Sequence, residues 1–369
     1  MATVYMVDAR ARKITHSFMT KLEMILDAAQ LETLFSPGEQ VVIKVQIGDV
    51  GNTAYLRPVI IRALVEKIYS LKGEPIVVDT NPLGMWWQSG LGWFDAATIQ
   101  GFASNVLNTD VQLADGYTGI EGEFFPTAGQ ERGSLKVARM IKETQALLLV
   151  SHVTGHPLVG LGGALVNLGL GCLALQSKEK IHRVLKPQVD AEKCNGCGQC
   201  VAYCPEKAWV VEEEQLKLIG EKCSGCGDCL AVCAPGAITM EGKSILHFQR
   251  RVIEAATAVV SAVKREKMRF FNFLIDIKPQ PDYYPFSDNA FVPDLGVLMS
   301  DDPVAVDQAS LDLINRAPGL PMSAAEECGV LEPGRDKILP IVGVDPVPLI
   351  RYGEEIGLGQ RCYQLLIAP

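Results

Sequence analysis

The sequence predicts an α/β fold: a mostly parallel sheet with helices on both faces, interrupted by a small α+β insertion. Three observations carry this. Apolar strand-like runs alternate with amphipathic helix-like runs on both sides of the chain's middle, the pattern of parallel sheets with crossover helices. The strand-like runs are continuously apolar, as strands covered on both faces must be. Between Cys194 and Cys233 the alternation stops, and eight of the 11 cysteines are concentrated there. A chain of 369 residues is long enough to bury a large core and carry such an insertion. Pro187 and Gly242 mark the junctions, dividing the chain into 1–187, 188–242 and 243–369. One sheet built from both flanks is the simplest architecture, although two separate α/β domains would give the same pattern.

Each element has a local reason. Thr3–Val7 reads as a short apolar strand. Ser17 suits the N-cap of a helix through Leu34, with Phe18, Leu22, Ile25, Leu26 and Leu34 at helical spacing, and Pro37-Gly38 breaks it. Val41–Ile47 is a buried strand. Leu56–Leu71 is an amphipathic helix with Ile60, Ile61, Leu64, Val65 and Ile68 on one side, ended by Gly73. Pro75–Val78 and Ala146–Val150 are further strands. Residues 80–94 form a loop whose Trp86, Trp87 and Trp93 read as a lid or partner surface, or as a segment folded back onto the core. Leu158–Leu175 is apolar except for Asn167 and just reaches membrane-spanning length. Its five glycines split the run, so a glycine-rich loop and helix start inside an α/β domain is expected instead. Beyond residue 242, Ile245–Val263 is a helix, and Phe270–Ile277 and Val292–Met299 are strands. Asp302-Pro303 starts a helix to about Asn315, with Asp as N-cap and Pro at the first helical position.

The formal net charge of −9 argues against nucleic-acid binding, which needs a basic face, and suits docking to basic patches on a redox partner. The opening MATVYMVDARARK has no basic region followed by an apolar stretch, so a cytoplasmic location without a membrane span is expected. Cys172, Cys328 and Cys362 stand apart from the other cysteines and read as small buried apolar residues.

The remaining eight form two runs. Cys194, Cys197, Cys200 and Cys204 follow a C-x2-C-x2-C-x3-C-P spacing, and Cys223, Cys226, Cys229 and Cys233 repeat it with Ala234 inserted before Pro235. Three thiolates spaced in this way can wrap one [4Fe–4S] cubane, while the fourth crosses to the other cluster. That assigns Cys194, Cys197, Cys200 and Cys233 to one cluster, and Cys223, Cys226, Cys229 and Cys204 to the second. Gly196, Gly198, Gly225 and Gly227 let backbone N–H groups approach the sulfurs. Zinc also binds CxxC pairs, but two consecutive runs of four fit zinc ribbons poorly. The segment resembles bacterial two-cluster ferredoxins, and its internal repeat (Ala191–Cys194 echoed by Gly220–Cys223) strengthens the likeness. The resemblance implies a small bacterial-ferredoxin-like α+β domain whose clusters carry one electron each.

The flanks carry a second likeness. It runs through Val41–Lys44 with Gly48 and Asn52, Arg57–Val65, Ile76–Thr80, Ser151–His156, Gly162–Gly169 and Ser300–Asp307. These stretches resemble the family called domain of unknown function 362, in its iron–sulfur-containing branch. The resemblance covers most of the chain and implies a fold and layout rather than an activity. Family members often carry Lys where this sequence has Thr154 and Val166. If those lysines handle an anionic substrate, that role is lost or changed here.

Ligands of open α/β sheets bind beyond the carboxyl ends of strands. Asp49, Asn52, Asp79, Asn81, His152, His156, Asp301 and Asp302 all fall at predicted strand ends. Three of the five histidines, His152, His156 and His182, directly precede the cysteine runs. His152 and His156 are candidate acid–base residues, with hydrogen-bonded structural roles or metal ligation as the other readings. Lys44, Asn52, Asp79, Asn167 and His182 are candidate pocket residues; Lys44 reads equally as an ion-pair partner. Asp302 reads better as a helix cap, and Asp307 lies one turn beyond it. Gly160–Gly163 matches no phosphate-binding fingerprint, so close backbone packing is expected, with anion binding as the other reading.

The expected function is therefore that of an iron–sulfur protein relaying low-potential electrons to or from a site in the α/β domain, where a small-molecule substrate is one reading, or a partner oxidoreductase. The alternative is a binding, assembly or redox-sensing protein with structural clusters.

Overall fold

The structure, a computed structural model, describes residues 1–84, 90–213 and 215–368. The first strands are β1 Ala2–Asp8, β2 Gln40–Val45, β3 Glu74–Asp79, β4 Val111–Leu113, β5 Gly122–Thr127 and β6 Gly133–Ala138. Then follow β7 Ala146–His152, β8 Thr154–His156, β9 Gly160–Gly162, β10 Pro187–Val189 and β11 Trp209–Glu212. The last are β12 Gln215–Leu218, β13 Ile238–Met240, β14 Met268–Leu274, β15 Gly296–Ser300 and β16 Tyr363–Ile367.

Eight of them form one sheet in the order β16-β1-β15-β14-β7-β2-β3-β4, so strands from both flanks share it. β15 runs antiparallel to β1 and β14, and every other neighbouring pair is parallel. Alternation along β7 shows how both faces are covered. Ala146, Leu148 and Val150 pack with Ile25 and Leu64 of the helices Phe18–Ala28 and Pro58–Ser70. Leu147 and Leu149 face Val252, Val259 and Ala305 of the helices Gly242–Val263 and Pro303–Arg316. Burial on both faces is why these strands read as unbroken apolar runs.

From β2 the chain moves outward to β3 and β4, then returns to β7 on the other side of β2. The gap between the carboxyl ends of β2 and β7 is thus a topological switch point.

Local differences from the sequence reading have local causes. Ser17 does cap the first helix, accepting from the Thr20 N–H, but the helix stops at Ala28 because Gln30 turns left-handed (φ 50°). Leu34 remains buried at the end of a short 3-10 turn. The glycine-rich run becomes the hairpin β8–β9 and the helix Ala164–Gly169. A Cβ at Gly169 would sit 2.2 Å from Val252 O, so two helices touch there through backbone. Among the described residues no helix is long and apolar enough to cross a membrane. Cys172 is buried as expected, but Cys328 and Cys362 are exposed, the first ending a short helix and the second preceding the edge strand β16. Asp302 caps its helix through the Val304 and Ala305 N–H groups and pairs with Arg265, while Asp301 is exposed. Trp86 and Trp87 lie outside the described residues; Trp93 is buried.

The cysteine-rich segment contributes no strand to the large sheet. β10 and β13 pair antiparallel, joining the segment's two ends, and β11 and β12 form a hairpin. Cys200, Trp209 and Ile238 make its own small core.

Candidate functional site

A cavity of about 130 Å³ opens at the switch point. Lys44 and Ile47 enter it from β2, Asp79 and Thr80 from β3, and Ser151 and His152 from β7. Thr154, His156, Val166 and Asn167 come from the glycine-rich region, and Lys178 and His182 from the helix Leu175–His182. Asp282 and Tyr283 follow β14, and Cys226 reaches in from the cysteine-rich segment.

Charge inside this cavity is tightly arranged. Lys44 Nζ lies 2.9 Å from Asp79 Oδ1 and donates to Asn167 Oδ1 at 3.0 Å. Asn167 in turn donates to Val150 O and Ser151 Oγ, fixing the helix to β7. Asp79 also accepts the Ile47 and Thr80 N–H groups. Lys178 donates to Thr80 Oγ1 and Asn81 O, each at 2.6 Å. Burial lowers its pKa to about 8, against the opposing pull of Asp115 and Asp79.

The three histidines differ. His152 faces the Asp282 carboxylate through Nδ1 at 2.9 Å and Ile275 O through Nε2 at 2.6 Å, so both nitrogens are engaged within the fold. Burial pushes Asp282 up, but His152 and Lys278 outweigh it and leave the carboxyl below its ordinary range. His156 accepts the Leu158 N–H at Nδ1, which leaves the ring proton on Nε2, 3.3 Å from the Tyr283 hydroxyl. His182 donates from Nδ1 to Lys178 O and packs at a tilt against the Phe248 ring. Burial, reinforced at each by a nearby positive or titratable neighbour, holds His156 down to about 3 and His182 to about 4, so both rings are neutral near pH 7.

Asn52 stands behind the cavity wall. It accepts from Lys278 and donates to Asp282 O and Tyr284 O, which holds the 282–284 loop in place. Asp49, Asn81, Asp301, Asp302 and Asp307 do not line the cavity. Asp307 instead accepts the Ala164 and Leu165 N–H groups, so the donors that begin the glycine-rich helix are already used by the chain's own carboxylate. Lys178, Asp282 and Tyr283 escaped the sequence reading. Lys178 is one of two lysines in a short polar helix, and nothing in its spacing marks it as the buried one.

The second cysteine loop packs against this cavity from one side. Gly196, Gly198, Gly225 and Gly227 all adopt left-handed φ, between 70° and 89°, so the two loops repeat one conformation. A Cβ at Gly225 would lie 2.1 Å from His182 O, which brings the second loop into backbone contact with the helix Leu175–His182. The thiols fall into two neighbourhoods. Burial raises Cys200, and Cys233 and Cys194 beside it add to the shift. Burial likewise raises Cys229, with Cys223 and Cys204 its neighbours. The Ala208 N–H donates to Cys204 Sγ at 3.2 Å. Among the described residues no three His, Cys, Asp or Glu side chains gather into a site for a single metal ion.

No curated protein matches this chain. A protein from Thermotoga maritima solved by the Northeast Structural Genomics Consortium is similar at 12% identity and a TM-score of 0.38, over 72% of this chain and 52% of that one. The lactate racemase apoprotein from Thermoanaerobacterium thermosaccharolyticum is similar at 12% identity and a TM-score of 0.36, over 70% and 49%. This chain thus spans about half the length of these solved structures. A family model described as "Domain of unknown function (DUF362)" matches residues 41–312, which include every cavity residue from Lys44 to Tyr283, and the chain belongs to that family.

Proposed function

We propose that this chain is an iron–sulfur electron-relay protein. Two [4Fe–4S] clusters in residues 188–242 serve the switch-point cavity and exchange electrons with a redox partner protein. One observation carries the reading: Cys226 belongs both to the second cysteine run and to the cavity wall.

The residues fit such clusters. The two thiol neighbourhoods match the crossed sets that the spacing requires, with Cys233 beside Cys194 and Cys200, and Cys204 beside Cys223 and Cys229. The paired left-handed glycines give both loops one backbone conformation, and Ala208 already donates to a sulfur. When bound, such clusters supply one-electron carriage.

The chain's own residues do the remaining work. Lys44, Asp79 and Asn167 fix the floor of the cavity. His152, Asp282 and Lys278 hold the loop that carries Tyr283 against it. Burial keeps the Tyr283 hydroxyl protonated, and its neighbour His156 offers Nε2–H to the hydroxyl oxygen, leaving the tyrosine's own proton free for the cavity. A proton source thus stands beside Cys226.

The test is anaerobic EPR of the dithionite-reduced chain, with iron and sulfide counted on the same sample. The relay predicts about eight of each per chain and two spin-coupled reduced clusters. Zinc in place of iron would overturn it. Iron that never reduces would favour the binding or sensing alternative.

A further inference from the structure

We propose that the switch-point cavity binds a small monocarboxylate, with Lys178 as its cation. The inference rests on the reading of this cavity as the substrate site.

Among the described residues the other charged groups facing the cavity are paired. Lys44 pairs with Asp79 at 2.9 Å, and His152 with Asp282 at 2.9 Å, where Lys278 also binds. Lys178 differs. An ammonium has three donors, and two of those on Lys178 go to neutral oxygens, Thr80 Oγ1 and Asn81 O. Among the described residues it has no carboxylate within ion-pair distance. Asp115 and Asp79 act on it only from beyond ion-pair distance: Asp115 reaches Lys178 through Asn81 and does not line the cavity, and Asp79, which does, is paired with Lys44. Burial also raises the Asp115 pKa, which weakens it as a counter-charge. The third donor therefore belongs to a cavity whose carboxylates, among the described residues, are Asp79 and Asp282, already paired with Lys44 and His152. A buried ammonium without an anion is costly, and a ligand carboxylate would supply one through a charge-assisted hydrogen bond.

The class of anion follows from what else faces the space. One unpaired cation suits a single negative charge, whereas a phosphate dianion would leave charge uncompensated. The helix N-terminus that might hold phosphate is occupied by Asp307. His156 and His182 are neutral and add no second cation. The volume of about 130 Å³ suits a small ligand of roughly ten heavy atoms. A carboxylate held by Lys178 would present its remaining atoms toward Tyr283 and Cys226, which share the same space.

The experiment uses the anaerobically purified full chain and reads saturation-transfer NMR on acetate, with acetamide as the neutral isostere and phosphate added as an unobserved dianion competitor. Acetate should receive transfer, acetamide should not, and equimolar phosphate should leave the acetate signal unchanged. Lys178→Met should weaken acetate binding about tenfold or more, the loss of one charge-assisted contact. Wild-type protein gives an independent reading if that variant misfolds: acetate binding should fall as pH rises through about 8, where Lys178 loses its proton while acetate stays ionised. Equal transfer to acetamide, displacement of acetate by equimolar phosphate, or binding unchanged to pH 10 would each overturn the proposal. Absent acetate binding in a chain whose EPR shows two reducible clusters defeats this inference and leaves the relay standing. Acetate binding in a chain without clusters does the reverse.

Discussion

Asp79 is the one carboxylate within ion-pair reach of Lys44 among the described residues, and Lys44 is only 1% exposed. Asp79→Asn should therefore cost about 3–5 kcal/mol, because it leaves a buried ammonium unpaired. Replacing both members, as in Lys44→Met with Asp79→Leu, should recover much of that loss, and anaerobic thermal melts of the three variants read the difference. Recovery no better than the single variant would mean that the pair does more than balance charge. His182 gives a pH-dependent counterpart. Its folded pKa of about 4 lies below the unfolded value of about 6.5. The unfolded chain thus binds more protons between those values, and the histidine's contribution is present at pH 7 and lost as pH falls through that window. Relative to wild type, His182→Gln should gain on the order of 1–3 kcal/mol between pH 7 and pH 4. A pH-independent difference would put the ring in solvent. At this scale the sequence was informative about the cavity. Lys44, Asp79, Asn167, His152, His156 and His182 were marked by position at strand ends or beside the apolar glycine-rich run, and all of them line one space. Lys178 was illegible because its burial depends on the helix Leu175–His182 lying over β3, a contact distant in sequence.

Among the elements, the cysteine loop that carries Gly225 decides whether Cys226 reaches the cavity. Gly225 has φ 76°, and an added Cβ would meet His182 O at 2.1 Å. Gly225→Ala combines left-handed strain of about 1–2 kcal/mol with a backbone clash that the helix cannot yield to cheaply. The matching Gly196 has a similar φ of 70° but open space around its Cβ position, so Gly196→Ala bears only the strain. EPR should therefore show the second cluster lost or distorted in Gly225→Ala, and both clusters retained in Gly196→Ala. Equal damage would mean that loop conformation matters and docking does not. The elements themselves were legible where periodicity was strong. The helix Pro58–Ser70 and the strands β2, β3 and β7 lie where apolar pattern put them. The hairpin β5–β6 went unread because only Leu135, Val137 and Ala138 along it are buried, which leaves little alternation to detect. The first helix was read too long because a single left-handed glutamine ends it without a glycine.

Across the whole molecule, the large sheet draws five of its strands from before the cysteine runs and three after β13, with no strand supplied by the segment between. That segment's ends are paired in register: Pro187 opposite Met240, and Val189 opposite Ile238. A directly opposed antiparallel pair is what a two-residue turn can close. Replacing residues 190–237 with Asn-Gly should thus turn β10 and β13 into a simple hairpin and leave the sheet intact. The α/β body should keep its far-UV spectrum and melt cooperatively, with no iron. Its stability should nonetheless fall, because the second cysteine loop covers Leu158, and Gly225 abuts the end of the helix that carries Lys178. Removing that cover wets the cavity, and water would solvate Lys178 in place of an anion, so acetate binding should weaken even though every contact to Lys178 in the body survives. A truncated chain that aggregates or loses its sheet would show that the cysteine-rich segment is needed to fold the body around it. A folded chain with undiminished acetate binding would separate the cavity from the clusters and remove the reason for their adjacency.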